Sequence, residues 1–94
     1  MAYELFFEDE NGNPIRKFKD GIEINPIPLA EEQNYKLIIY LNPFGDTTFN
    51  ELMLDDLISD LKRINKNDRE IKSLIAFIEI GKRLQHAYLK FYGD

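Results

Sequence analysis

The second half of the chain carries an apolar surface too wide for one helix to bury against one neighbour. At helical spacing, Ile71, Leu74, Ile75, Ile78, Tyr88, Leu89 and Tyr92 form one stripe. Phe77, Ile80, Leu84, Ala87 and Phe91 form an adjoining one. Read as a continuous helix, roughly two-thirds of the circumference is apolar, with a polar strip at Lys72, Glu79, Arg83, His86 and Lys90. Such a helix must touch two things: another helix on one side, and a sheet or a second molecule on the other. Gly81 falls on the apolar arc. Mid-helix glycine costs about 1 kcal/mol relative to alanine, so its presence points to a close approach of another backbone.

A helical partner precedes it. Thr48-Phe49-Asn50-Glu51 has the form of a capping box, a hydroxyl followed three residues later by a carboxylate. Met53, Leu54, Leu57, Ile58, Leu61 and Ile64 then share an arc of roughly 140°. Glu51, Asp55, Asp56 and Asp60 lie toward its start and Lys62, Arg63 and Lys66 toward its end, as the helix macrodipole favours. Asn65 to Asn67 closes the first helix, and Asn67 with Glu70 repeats the cap signature. The spacing predicts helices over 48–66 and 68–91, and so short a connection makes them antiparallel neighbours.

The first 41 residues read as strands. Tyr3, Leu5 and Phe7 alternate with Glu4 and Glu8, Asp9 to Pro14 supplies a reversal, and Ile15 to Lys19 returns as an edge. Asp20-Gly21 is a further turn, before the short alternation Ile22-Glu23-Ile24. Pro26 and Pro28 each remove a backbone donor and end regular pairing. Tyr35-Lys36-Leu37-Ile38-Ile39-Tyr40-Leu41 has the strongest strand character in the chain, with apolar bulk on both faces, and is expected at the centre of the sheet. The fold class expected is α+β: a small, mainly antiparallel sheet of three to four strands (residues 2–41), covered on one face by the C-terminal helical hairpin.

Ninety-four residues suit a single domain. With 44% hydrophobic residues, the chain can build a core rather than remain disordered. The absence of cysteine excludes disulfides and thiol catalysis. No basic leader and no apolar run of membrane-spanning length occurs, so a cytoplasmic protein without membrane contact is expected. The net charge of −5 lies entirely in residues 1–47, which hold nine acids against four bases, whereas the remainder carries eight of each. That bias disfavours nucleic acid, whose phosphates need basic residues, and suits a basic protein partner.

Candidate chemistry is sparse. Asp9, Asn11, Asn13 and Asp20 share spacing with an EF-hand loop, but Pro14 stands where the loop needs glycine and the flanks are strands, so a hairpin turn is the better reading. His86 is expected on the polar helical strip, with Lys82 and Lys90 one turn away on either side and no nucleophile to serve. Asp56 and Asp60 share a helix face, but no further ligand completes a metal set. Ser59 and Ser73 lie inside the helices with no nucleophile-elbow context. No cofactor, metal or catalytic set is expected. Asn42-Pro43-Phe44-Gly45-Asp46, read as the approach to a helix N-terminus, offers an alternative as an anion or small-ligand site.

The function expected is a non-enzymatic protein-interaction module, an adaptor or an inhibitor of the immunity-protein or antitoxin kind. Glu8, Asp9, Glu10, Glu31 and Glu32 would face a basic partner, with Phe44 at the tip of the 42–46 loop. Phe77, Ile80, Leu84 and Phe91, on the part of helix two not covered by the sheet, are expected to mediate self-association into a homo-oligomer.

Overall fold

The first and last strands of the chain lie side by side at the centre of the sheet. The computed structural model describes residues 2–64 and 68–93. Five strands, β1 (Ala2–Glu8), β2 (Pro14–Lys17), β3 (Ile22–Glu23), β4 (Asp46–Phe49) and β5 (Tyr88–Gly93), form one sheet. Two helices, α1 (Leu54–Ile64) and α2 (Arg69–Gly81), pack against it, and three short 3-10 turns fill the connections. The spatial order is β2-β1-β5-β4, with β3 sharing with β2 the outer edge of β1. Every pairing is antiparallel, and β1 runs against β5 from Tyr3↔Gly93 to Glu8↔Tyr88. The α+β class and the antiparallel sheet are as expected; three boundaries are not.

The first correction is the segment from Tyr35 to Leu41, which is not a strand. Its middle is a 3-10 turn, Ile38–Tyr40, and the cause lies on α1. Asp60 is buried, with 1% of its surface exposed. Its carboxylate accepts the backbone N–H groups of Lys36 (3.0 Å), Leu37 (2.7 Å) and Ile38 (3.0 Å). Three consecutive N–H groups turned toward one anion form a concave nest, and a strand alternates its N–H groups to opposite sides. The segment therefore cannot serve Asp60 and a sheet at once.

The second correction is the end of α2. The helix stops at Gly81, Lys82 is its C-cap, and Tyr88–Gly93 is a strand. The two apolar stripes thus belong to two elements. Phe77 and Ile78 reach the core from the helix, and Ala87, Leu89 and Phe91 reach it as the inward face of the β5 segment. The third correction concerns Thr48, which lies in β4 opposite Lys90. The cap is Asn50, whose side chain accepts the N–H of Leu52 and opens a 3-10 turn, Glu51–Met53, ahead of α1. The expected helix end at Asn65 to Asn67, and the cap at Asn67, lie outside the described residues. The cap of α2 that the structure describes is Asp68, which accepts the N–H groups of Glu70 and Ile71.

The helices are antiparallel, as expected. Lys82, at the end of α2, pairs at 2.5 Å with Asp55, at the start of α1. Leu54, Leu57, Leu61, Ile71, Leu74 and Ile78 are buried and Ile75 is partly so. They meet the inward side chains of β1, Tyr3, Leu5 and Phe7, in one cluster. Gly81 does have a close neighbour, but it is a side chain and not the backbone expected: a Cβ there would collide with the edge of the Phe7 ring.

Two substitutions test this packing. Asp60→Ala strands three amides, each worth about 1–3 kcal/mol when left unsatisfied. Urea denaturation should show a loss of at least about 3 kcal/mol, and amide exchange at Lys36, Leu37 and Ile38 should accelerate before the rest of the chain does. Gly81→Ala gains about 1 kcal/mol of helix propensity but drives a methyl into Phe7, where overpacking costs about 1–3 kcal/mol. A net loss of stability, removed by a compensating Phe7→Leu, is the expected result.

Candidate functional site: two acidic clefts at one end of the sheet

Between β3 and β4 the chain makes a 22-residue excursion, residues 24–45, that contributes nothing to the sheet. Pro26 and Pro28 remove donors at its start, and a 3-10 turn follows at Leu29–Asn34. The excursion is fastened at its far end by the Asp60 nest and at its return by the end of β5. There Gly93 donates its N–H to the carbonyl of Gly45 at 2.8 Å. The backbone of Asn42 and Pro43 sits against Gly93 so closely that a Cβ would collide with it. The side chain of Asn42 accepts the N–H of Phe44, and the Thr47 hydroxyl accepts the N–H of Asn42.

This folding leaves two clefts around the beginning of β1 and the end of β5, and Tyr3 lines both. One, of about 210 Å³, runs between the excursion's two limbs, with Ile24, Ile27, Ile39, Leu41 and Pro43 as its apolar walls and Glu32 on its border. The other, of about 380 Å³, is bordered by Glu4, Asp20 and Ile22 with Tyr92 and Gly93. All the charged side chains lining the pair are acids. Lys19 and Lys36, the nearest bases in sequence, are engaged by the helices: Lys19 pairs with Glu70 at 3.3 Å and Lys36 with Asp56 at 3.2 Å. Leu29 (83% exposed) and Tyr40 (66%) stand on the segments that frame the smaller cleft. Burial pushes the Tyr3 phenol above its ordinary range.

The acids singled out in the sequence separate into two groups. Glu32 borders the smaller cleft and Glu31 is exposed beside it. Glu8, Asp9 and Glu10 lie at the opposite end of β1, roughly 17 Å from Tyr3 at the usual rise per residue. Two of the three have structural work there. Asp9 accepts the backbone N–H groups of Asn11 and Asn13, both at 2.9 Å, which closes the β1–β2 turn around Gly12 (φ 84°). Those bonds hold its carboxyl below the ordinary range, that of Asn13 foremost. Glu8 is buried and accepts the hydroxyl of Tyr92.

Tyr92 belongs to a cluster on the sheet face away from the helices. Its ring meets Phe6 edge-on at 5.7 Å, and the Lys90 ammonium lies 5.3 Å over it and 3.9 Å from Glu8. Lys17 covers Phe6 from the other side at 5.8 Å. The arrangement is self-satisfied, since each charge already has a counter-charge or a ring.

The remaining candidates are placed as follows. Phe77 is buried among Phe7, Phe18 and the Arg16 guanidinium, Phe91 is fully buried, and Leu84 is half-buried against the core. Of the apolar face expected to mediate self-association, Ile80 alone is exposed. Asn42 to Asp46 leads into β4, not into a helix, so the helix N-terminus invoked for an anion site is not there. Phe44 is 80% exposed at its tip. His86 is not helical; it lies between α2 and β5 with φ 55°, exposed. Among the described residues, no group of three or more His, Cys, Asp and Glu side chains is placed to hold a metal ion. No helix among them is long and apolar enough to cross a membrane. The sequence reading missed the clefts because Glu4, Asp20 and Glu32 are far apart in the chain; the signal available was the pair of prolines that forces residues 24–28 out of the sheet.

No protein family, no curated protein and no solved structure matches this chain.

The open face makes a titration prediction. The Tyr92 phenol is pushed up to about 12, by its hydrogen bond to Glu8 first, then by burial and by the charges of Glu8 and Asp46. A phenol whose folded pKa is raised contributes stability that is fully present below its ordinary value near 10 and is lost as pH rises through 12. Phenolate absorbance should therefore show one late-titrating tyrosine, absent in Tyr92→Phe and moved toward 10 in Glu8→Gln.

Proposed function

We propose that this protein is a non-catalytic binding module that docks a basic protein segment across the two acidic clefts. The observation that carries the reading is the pair of clefts that share Tyr3, the smaller with apolar side chains along it, bordered together by Glu4, Asp20 and Glu32 without a cation. The apolar cleft, at about 210 Å³, is smaller than the usual ligand pocket of about 300–1,000 Å³, and the second, at about 380 Å³, lies at the low end of that range. The apolar cleft suits one apolar side chain of a partner, whereas the acids suit neighbouring lysines or arginines. The exposed Leu29 and Tyr40 extend the apolar contact beyond the cleft, and an aromatic beside a pocket is a common source of binding energy. Negative potential over the same end would steer a basic partner toward it. An adaptor or an inhibitor of a basic protein fits this description, as the charge bias of the sequence suggested. An inhibitor that mimics DNA would present acids in a continuous row, and here Glu8, Asp9 and Glu10 are separated from the clefts by the length of β1.

The test uses a short lysine- and arginine-rich peptide carrying a leucine or phenylalanine anchor, titrated into the protein and followed by NMR. Amide shifts should cluster at Tyr3, Ile24, Ile27, Ile39 and Leu41, and binding should weaken steeply with salt. The triple variant Glu4→Gln, Asp20→Asn, Glu32→Gln should slow association by about tenfold or more. Its melting temperature should barely change, because solvated carboxylates contribute little to folding. Shifts that map to the Glu8–Glu10 turn, or no saturable binding at low salt, sink the proposal.

A further inference from the structure

The two edges of the sheet differ in a way that bears on assembly. The edge made by β2 is defended: Pro14 has no N–H to offer, and Arg16 and Lys17 place charge along it. The edge made by β4, Asp-Thr-Thr-Phe, carries no proline and a single charge. Its hydrogen-bonding parity follows from the bond between Gly93 N–H and the Gly45 carbonyl. Because bonding residues alternate in an antiparallel ladder, Gly45, Thr47 and Phe49 turn their backbone groups toward β5, and Asp46 and Thr48 turn theirs outward. Among the described residues, no backbone or side-chain partner takes up those outward groups. Two N–H and two C=O groups per chain are left to water.

We propose that β4 is the edge at which two copies of this chain join, antiparallel, into one continuous sheet. The register is decided by what each alternative leaves unpaired. Only outward-facing residues can oppose one another in a bonded pair, which leaves three choices about the two-fold axis. Asp46 opposite its own copy sets like charges face to face, which is destabilising. Thr48 opposite its own copy brings Asp46 to Asn50, whose carbonyl already accepts the N–H of Met53 at 3.0 Å. Asp46 opposite the Thr48 of the second copy satisfies all four outward groups of each chain, with Thr47 on the axis.

The ends of the strand fit the same occupant. Phe44 (80% exposed) precedes β4 and Leu52 (85% exposed) follows it. Antiparallel pairing sets the Leu52 end of one copy beside the Phe44 end of the other, twice over. A foreign strand would need the same apolar–polar–apolar pattern to do so. Because β4 pairs with its own copy about a two-fold axis, that contact closes at two copies and does not continue into a fibre. The contact shares no cleft-lining residue with the peptide-docking surface, so either can fail alone.

Sedimentation of the full chain from low to hundreds of micromolar, with amide exchange at each concentration, tests the proposal. The mass should rise from 11.1 kDa toward twice that value. The Asp46 and Thr48 amides should slow at least tenfold as it does, while Thr47 and Phe49 stay protected throughout. Thr48→Pro deletes an outward donor without touching the β5 ladder and should return the protein to a monomer. The double variant F44E and L52E changes side chains that are solvated in the single chain, so it folds and loses the dimer even if the proline variant fails to fold. A monomer at every concentration overturns the proposal. So does a dimer in which the Asp46 and Thr48 amides exchange at the monomer's rate, or one that survives the double variant.

Discussion

One buried carboxylate decides how the sheet is composed. Asp60 points from α1 into the base of the excursion and takes three successive amides, Lys36 to Ile38, by direct hydrogen bonds. An ionised side chain in the interior requires donors on several sides, and consecutive backbone N–H groups supply them without importing a second charge. The consequence is topological. The segment with the most strand-like composition is withheld from the sheet, and the place beside β1 is left for the last strand of the chain. β5 fills it over six residue pairs. β1 and β5 are therefore joined at the centre, and within one chain β4 pairs with β5.

How far the sequence was legible follows from which interactions are local. The β1 alternation, the turn at Asp9 to Pro14 and the apolar periodicity of α1 and of α2 up to Gly81 rest on neighbours within a few positions, and each was readable. The Tyr35–Leu41 segment was not, because the residue that bends it lies more than twenty positions away. The capping box at Thr48 failed for a related reason: β5 recruits Thr48 as a strand, and Asn50 supplies the cap instead. In the last segment the sequence did carry the answer. An apolar face spanning two-thirds of a helix was the mark of two elements superposed on one wheel. Ala87, Leu89 and Phe91 alternate with Tyr88, Lys90 and Tyr92, a period of two that the helical reading overrode. The clefts were not legible at all, since they gather Tyr3, Asp20, Glu32 and Leu41 from four separate segments.

Charge was the feature of the sequence that pointed most directly to function, and the structure divides it by role. Asp9, Asp60 and Asp68 hold backbone amides, Glu8 holds a phenol, and Asp55, Asp56 and Glu70 hold lysines. A surplus of acids in the amino-terminal half is thus partly architecture. What is left over near the clefts, Glu4, Asp20 and Glu32, is the part that can act on a partner. The distinction matters for reading any acidic domain of this size: the count of carboxylates overstates the field, because those already bound to N–H groups are screened by the donors they serve.

The same division governs where the molecule can give. The helices and the β1–β5 pair share one continuous core, so they open only with global unfolding. Residues 24–45 contribute few buried side chains, and the described bonds that fasten them are the Asp60 nest, the Lys36–Asp56 ion pair, the Gly45–Gly93 contact and the Asn42–Thr47 bond. A docking surface made of such a segment can adjust its limbs around an inserted side chain at little cost to the core. Asp60 then has a second consequence. By pinning the middle of the excursion to α1, it limits that adjustment to the two limbs and keeps the apolar walls of the cleft facing each other. Preorganisation of this kind reduces the ordering entropy that a partner must overcome on binding. The carboxylate that excludes one strand from the sheet thereby shapes the cleft that the excluded strand becomes.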